Sequence, residues 1–154
     1  MVSVREIIKN DLAAISKMSH EFVDYLNKVS SDADVVPLSE KILDEQMFSQ
    51  SINLLRGNIA EINNDAVGYI LYYYGFNPDI PSVIVHIADL YVNNNHRNKG
   101  IGKKLVNEVA RTAKQNGARQ LHVHAWVENP KAIKFYESMK MELIDFNAYF
   151  VMKF

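Results

Sequence analysis

The sequence predicts a mixed α/β domain, and three observations carry that prediction. Apolar residues alternate in some stretches and recur at helical spacing in others, in the order strand, two helices, three strands, helix, strand, helix, two strands. The middle of the chain reads as antiparallel hairpins, because residues 52–62 and 66–76 flank Asn63-Asn64-Asp65, which suits a tight turn. Residues 83–127 then read as strand, helix, strand, a βαβ unit whose two strands must run parallel. Together these give a mixed central sheet of about six to seven strands flanked by about four helices. At 154 residues the chain suits one core, so residues 1–154 are expected to form a single domain.

The elements follow in order. Residues 2–8 are β-rich and form a first strand. Lys9-Asn10-Asp11 offers an N-cap to a helix with Leu12, Ile15, Met18, Phe22, Tyr25 and Leu26 on one face. Residues 30–36 form a loop, and Ser39 caps a second helix, 40–50, with Ile42, Leu43, Met47 and Phe48 on its apolar side. After the hairpin, Pro78 and Pro81 mark a connection into the strand 83–92. An amphipathic helix over 105–115 stops at Asn116-Gly117. Residues 120–127 are a strand. Asn129-Pro130 opens a helix carrying Ala132, Ile133, Phe135, Tyr136 and Met139, with proline in its first turn. Residues 141–145 and 149–154 are terminal strands, and no repeat or linker interrupts the chain.

Composition narrows the function classes. The formal net charge is −1, which argues against a general nucleic-acid or membrane binder. There is no cysteine, so a disulfide, a thiol nucleophile and a thiolate metal site are all excluded. No run reaches the ~20 apolar residues that span a bilayer. Met1-Val2-Ser3-Val4-Arg5 does not begin a charged and then apolar leader, so a cytoplasmic location is expected.

The stretch His96-Arg97-Asn98-Lys99-Gly100-Ile101-Gly102-Lys103 lies between the strand and the helix of the βαβ unit. Its two glycines permit a tight turn, and a helix start presents outward N–H groups with a favourable dipole for anions. Arg97, Lys99 and Lys103 add positive charge. The chemistry is that of a phosphate or pyrophosphate cradle. It is neither a Gly-x-Gly-x-x-Gly dinucleotide fingerprint nor a loop ending in Gly-Lys-Ser/Thr.

Arg97-Asn98-Lys99-Gly100-Ile101-Gly102 resembles the Arg/Gln-x-x-Gly-x-Gly/Ala motif of the GCN5-related N-acetyltransferases (GNAT). Asp89-Leu90-Tyr91-Val92 looks like the family's strand leading into that turn. Asn129-Pro130-Lys131-Ala132-Ile133-Lys134-Phe135-Tyr136 is similar to its second signature, Asn-x-x-Ala-x-x-Phe/Leu-Tyr. The resemblance is strong over residues 83–141 and extends loosely to the whole chain. It implies the GNAT fold, with a splay between two parallel strands, and acetyl-CoA as donor with no metal. Backbone groups of Leu90, Tyr91 and Val92 would pair with the pantetheine arm. Amides from Asn98, Lys99, Gly100, Ile101, Gly102 and Lys103 would hold the pyrophosphate beside Arg97. Asn129 and Ala132 belong to the second signature, with Asn129 on the pantetheine side. Tyr136 would protonate the departing thiolate, and the Val92 N–H would stabilise the oxyanion. The resemblance also implies a homodimer and an acceptor site bordered by the first two helices.

Several residues admit two readings. Tyr136 is either the general acid or an amphipathic tyrosine at a helix edge. Asp89 is either a general base, direct or through water, or a strand carboxylate in an ion pair or at the strand bulge. In polyamine acetyltransferases of the family a glutamate often stands one residue earlier, where this chain has Ala88. His122, His124 and Trp126 share one strand face, and His86 shares one with Ala88 and Leu90. The histidines read as sheet packing or, for His86, as a base; without supporting carboxylates no metal site is expected. Among Tyr72, Tyr73 and Tyr74, alternation turns Tyr73 away from the other two. Glu21, Asp24, Asp32, Asp34, Glu40, Asp44 and Glu45 are a solvated face or an attraction for a cationic amine. Lys140 stands where many members carry glycine. The leading expectation is direct acetyl transfer to a primary amine of a small molecule: an amino acid derivative, a polyamine or an aminoglycoside-like compound. An acyl-CoA-binding regulatory module and a protein N-acetyltransferase stay open.

Overall fold

The computed structural model describes residues 1–30, 34–144 and 151–152. The backbone forms two compact units, residues 1–124 and 125–154. The first is built on a sheet in the order β1 (Val2–Glu6), β2 (Arg56–Ile62), β3 (Asp65–Asn77), β4 (Ser82–Val92) and β5 (Gln120–Val123). The first four strands pair antiparallel, and β4 pairs parallel with β5, as the βαβ pattern requires. Among the described residues the sheet has five strands, fewer than the sequence suggested. The expected strand 120–127 ends at Val123, and residues 141–144 are irregular. The rest of the two expected terminal strands falls on 145–150 and 153–154, outside the described residues, or on the irregular pair 151–152. The turn between β2 and β3 places Asn63 at φ 52° and Asn64 at φ 69°, the left-handed pair that matches the twist of a hairpin.

One sheet face is covered by α1 (Leu12–Val29) and α2 (Glu40–Met47). Leu12, Ile15, Met18, Leu43 and Met47 interlock there with Ile59, Tyr69, Leu71 and Tyr91. The other face carries α3 (Ile101–Gln115), whose Ile101, Leu105, Val106, Val109 and Ala113 recur at helical spacing and are buried. Ser39 caps α2 as expected, its hydroxyl accepting from the Ile42 N–H at 3.2 Å. Asp11 does not cap α1 in that way. Its carboxylate instead accepts from Arg5 at 2.7 and 2.8 Å and from the Ile8 N–H at 2.8 Å, tying β1 to the helix start. The helix α3 begins four residues earlier than its apolar pattern, directly after Gly100.

The second unit contains α4 (Pro130–Ser138). The Asn129 side chain accepts from the Ala132 N–H at 3.2 Å, and Pro130 occupies the first turn. The helix ends with Met141 N–H donating to Tyr136 O at 3.2 Å and Lys140 N–H to Glu137 O at 2.9 Å. These are the paired bonds of a Schellman ending, which demands a left-handed residue, and Lys140 sits at φ 61°. The turn the family makes with glycine is therefore retained with a side chain in it. Lys140→Gly should raise stability by about 1 kcal/mol, read as a higher melting temperature. No change on melting would mean that the lysine side chain offsets the strain.

Candidate active site

The centre of interest is β4 beyond its contact with β5. That parallel pairing ends at Ile87↔Val123, whereas β4 continues to Val92. On its other side β4 stays paired with β3, through Leu71↔Asp89, Ile70↔Leu90, Tyr69↔Tyr91 and Gly68↔Val92. The Asn93 N–H donates to Val67 O at 2.9 Å, so the alternation of an antiparallel ladder turns the N–H and C=O of Leu90 and Val92 away from β3. They face the edge that β5 leaves unpaired. The resemblance implies a splay between two parallel strands; what the described residues show there is a β4 edge without a strand partner beyond Ile87.

A bulge re-aims the side chains at the same place. Tyr72 pairs with Ile87 and Leu71 with Asp89, so Ala88 is the extra residue. Paired residues project from one face, which puts Asp89 on the face of Leu71, the side of α1 and α2. By the same rule His86, paired with Tyr73, shares that face with Asp89 and Tyr91. The expectation that His86 shares a face with Ala88 and Leu90 is thus corrected, because simple alternation does not count through a bulge.

Asp89 is half-buried. Its carboxylate accepts from the Tyr69 hydroxyl at 2.6 Å and lies near the Leu90 N–H. Tyr69 is fully buried, and the Ser19 hydroxyl of α1 lies beside it. Burial outweighs these donors and pushes the Asp89 carboxyl up to about 6. Asp89 is therefore largely ionised at neutral pH yet basic enough to take a proton. Sequence reading named Asp89 but not Tyr69 or Ser19, since only the register brings them to it.

The turn after β4 supplies the second feature. Asn98 lies at φ 60° and Gly100 at φ 77°. A Cβ added at Gly100 would meet nothing within 4 Å, so the space before this turn is open. The first backbone bond of α3 runs from the Lys104 N–H to Gly100 O at 3.0 Å. The Ile101, Gly102 and Lys103 amides precede it and have no partner within the helix. Such a terminus suits an anion. The three cations expected around it differ in aim. Lys103 is exposed on the first turn of α3, while Lys99 Nζ donates to Asn95 O at 2.9 Å. The Arg97 Nε donates to Val92 O at 2.8 Å, and its guanidinium lies 4.8 Å from the Tyr25 ring centre and 5.4 Å from that of Tyr91. The Tyr91 hydroxyl donates to Glu21 Oε2 at 2.9 Å. Glu21 is thus part of this network rather than only a solvated charge. Asp32 lies outside the described residues.

The remaining sequence candidates divide clearly. The Tyr73 ring stacks on His86 at 5.0 Å, and His86 lies 4.6 Å from His124, with His122 paired to His86 across the strands. Burial and the two neighbouring imidazoles hold His86 below the ordinary histidine range. Tyr72 and Tyr74 meet edge-on at 6.1 Å, away from Tyr73, as alternation requires. Among the described residues no group of three or more His, Cys, Asp or Glu is arranged to hold a metal ion. In the second unit, Asn129 is buried in its cap, and the half-buried Tyr136 ring meets Phe135 edge-on at 5.1 Å.

No described helix is long and apolar enough to cross a membrane. The sequence model of the Acetyltransferase (GNAT) family matches residues 18–141. A thialysine N-epsilon-acetyltransferase of Sus scrofa is 30% identical over 146 residues, covering 90% of this chain and 82% of that one. A ribosomal-protein-alanine N-acetyltransferase from Brucella melitensis biovar Abortus 2308 superposes with a TM-score of 0.76 at 18% identity, covering 100% and 99% of the two chains. An aminoglycoside acetyltransferase from an uncultured soil metagenomic sample, in complex with sisomicin, does so at 0.73 and 20%, covering 99% and 97%. At these identities the two structures speak for the fold. The unpaired edge of β4, the open glycine turn and the family match agree, and the chain is an N-acetyltransferase of the GNAT family.

Proposed function

We propose that this chain, acting as one domain, transfers the acetyl group of acetyl-CoA directly to a primary amine of a small molecule, most simply the terminal amine of a lysine-like amino acid. The observation that carries the reading is the unpaired edge of β4, bordered by Asp89 and running into the open turn at Gly100. An extended arm fits an unpaired strand edge, and a pyrophosphate fits the free amides of Ile101, Gly102 and Lys103. The family uses acetyl-CoA as its donor. The thialysine N-epsilon-acetyltransferase name of the mammalian relatives supports the amino acid class of acceptor. Ala88, where polyamine enzymes of the family often carry glutamate, argues for that class over polyamines.

When bound, acetyl-CoA supplies an activated acyl carbon with a thiolate leaving group. Asp89 takes a proton from the incoming ammonium, directly or through water, and frees the nitrogen lone pair for attack. The Val92 N–H, turned to the unpaired edge, donates to the carbonyl oxygen as negative charge develops there. Tyr136 is assigned the return of a proton to the thiolate. Without cysteine the transfer has no thioester stage on the protein.

The test is release of free thiol from acetyl-CoA with a panel of amines: lysine, thialysine, ornithine, spermidine, an aminoglycoside and a lysine-containing peptide. Release with the lysine-like amino acids is expected. Release with the peptide alone would redirect the reading to protein acetylation. Tight acetyl-CoA binding with no amine-dependent release would make the chain a regulatory module. Tyr136→Phe should lower kcat at least tenfold with little change in acetyl-CoA affinity; an unaltered rate across pH would remove the acid role.

A further inference from the structure

We infer that the Arg97 side chain does not serve the donor's phosphates but sets the hydrogen-bonding register of the β4 edge, as a positioning residue for the extended arm. The inference rests on the acetyl-CoA reading of this site. Four backbone groups of Leu90 and Val92 face the unpaired edge. One is already used: the Val92 C=O is held by Arg97 Nε at 2.8 Å. The Leu90 N–H and C=O and the Val92 N–H carry no backbone partner among the described residues. An extended amide chain pairs with these groups, and the guanidinium covers the last acceptor, so the ladder ends at the Val92 N–H. With Val92 C=O released, the ladder can run on past Val92 in a displaced register, and the reacting carbon is carried away from the Val92 N–H.

The guanidinium is built to stay there. It is half-buried, with its centre over the rings of Tyr25 and Tyr91 at 4.8 and 5.4 Å. Tyr91 is in turn held by Glu21 at 2.9 Å, and Asn93 Nδ2 approaches the same carboxylate oxygen at 3.5 Å. Tyr25 and Glu21 belong to α1, so the register of the donor edge is fixed from the helix on the face of Asp89. A guanidinium whose Nε holds the Val92 C=O and whose centre lies over two α1- and β4-borne rings is turned back to the strand rather than to the anion-binding turn. The open amides and Lys103 serve that turn.

Separating charge from register tests this. Arg97→Gln removes the charge and keeps a side-chain N–H donor; Arg97→Met removes both. Calorimetry with CoA and with 3′-phospho-ADP, which carries the phosphates without the arm, reads binding alone. Kinetics with S-acetylpantetheine, which carries the arm without phosphates, reads the arm. Arg97→Gln is expected to bind CoA within about threefold of the parent. Arg97→Met should bind 3′-phospho-ADP like the parent, yet lose about tenfold for CoA and the same factor in kcat/KM with S-acetylpantetheine. A large loss of 3′-phospho-ADP or CoA affinity in Arg97→Gln, or a Met variant indistinguishable from the parent on S-acetylpantetheine, overturns the assignment. Should Arg97→Met fail to fold by thermal melting, the Gln arm alone still decides between charge and register. If the parent itself binds no CoA, the acetyl-CoA reading falls instead.

Discussion

Replacing Gly100 by valine should weaken acetyl-CoA binding about a hundredfold or more while leaving the protein folded. Gly100 lies at φ 77°, where a β-branched residue costs about 1–2 kcal/mol of backbone strain. Its neighbours raise no further objection, because an added Cβ meets nothing within 4 Å. The side chain would project into the space in front of the first α3 amides. Displacing an anion from two charge-assisted hydrogen bonds there removes about 3–6 kcal/mol, which is a hundredfold or more in affinity. Gly117 provides the matched control. It lies past the other end of α3 at φ 81°, again with nothing within 4 Å of an added Cβ. Gly117→Val should therefore lose comparable stability and keep full affinity. Equal affinity losses in the two variants would mean that strain acts through the helix, and the pyrophosphate assignment would fail.

Sequence patterns located the elements well where one physical signal dominated. The Asn63-Asn64 turn, the Ser39 cap and the Pro130 helix start all formed where their local chemistry placed them. Local chemistry misjudged Asp11, because Arg5 from a neighbouring strand offers its carboxylate a charged partner that a cap does not. It also placed the start of α3 too late, since the first turn carries Gly102, Lys103 and Lys104 and shows its apolar face only through Ile101. The site was legible as motif but not as aim. A bulge at Ala88 has no sequence signature of its own, yet it decides that Asp89 faces α1 and joins Tyr69 and Ser19. Likewise the motif alone gives its cations only a shared field. Register and stacking then turned Arg97 and Lys99 to backbone carbonyls.

Asp89→Asn should make the protein more stable and far less active. The carboxyl is pushed up to about 6 from an ordinary 3.8, chiefly by burial. A folded state that raises an acid's pKa is stabilised when the acid is protonated. That contribution is complete below about pH 4 and is lost as pH rises through 6. The asparagine keeps an oxygen for the Tyr69 hydroxyl and never ionises, so its advantage appears at high pH. The separation between 3.8 and about 6 bounds the gain near 3 kcal/mol. A gain of about 1–2 kcal/mol at pH 8 is expected, since a buried amide also requires partners. It should fade towards pH 4 when melting is followed across pH. Catalysis should move the other way. The parent's kcat/KM should fall below pH 6, where Asp89 is protonated, and the variant should lose a hundredfold or more in kcat together with that limb of the profile. A purely structural carboxylate predicts a stability change without the kinetic one. A variant with parental turnover and the same acid limb would move the base elsewhere on this face, to His86 or His124. Greater stability joined to lost activity is what distinguishes a charge retained for proton transfer from one retained for folding.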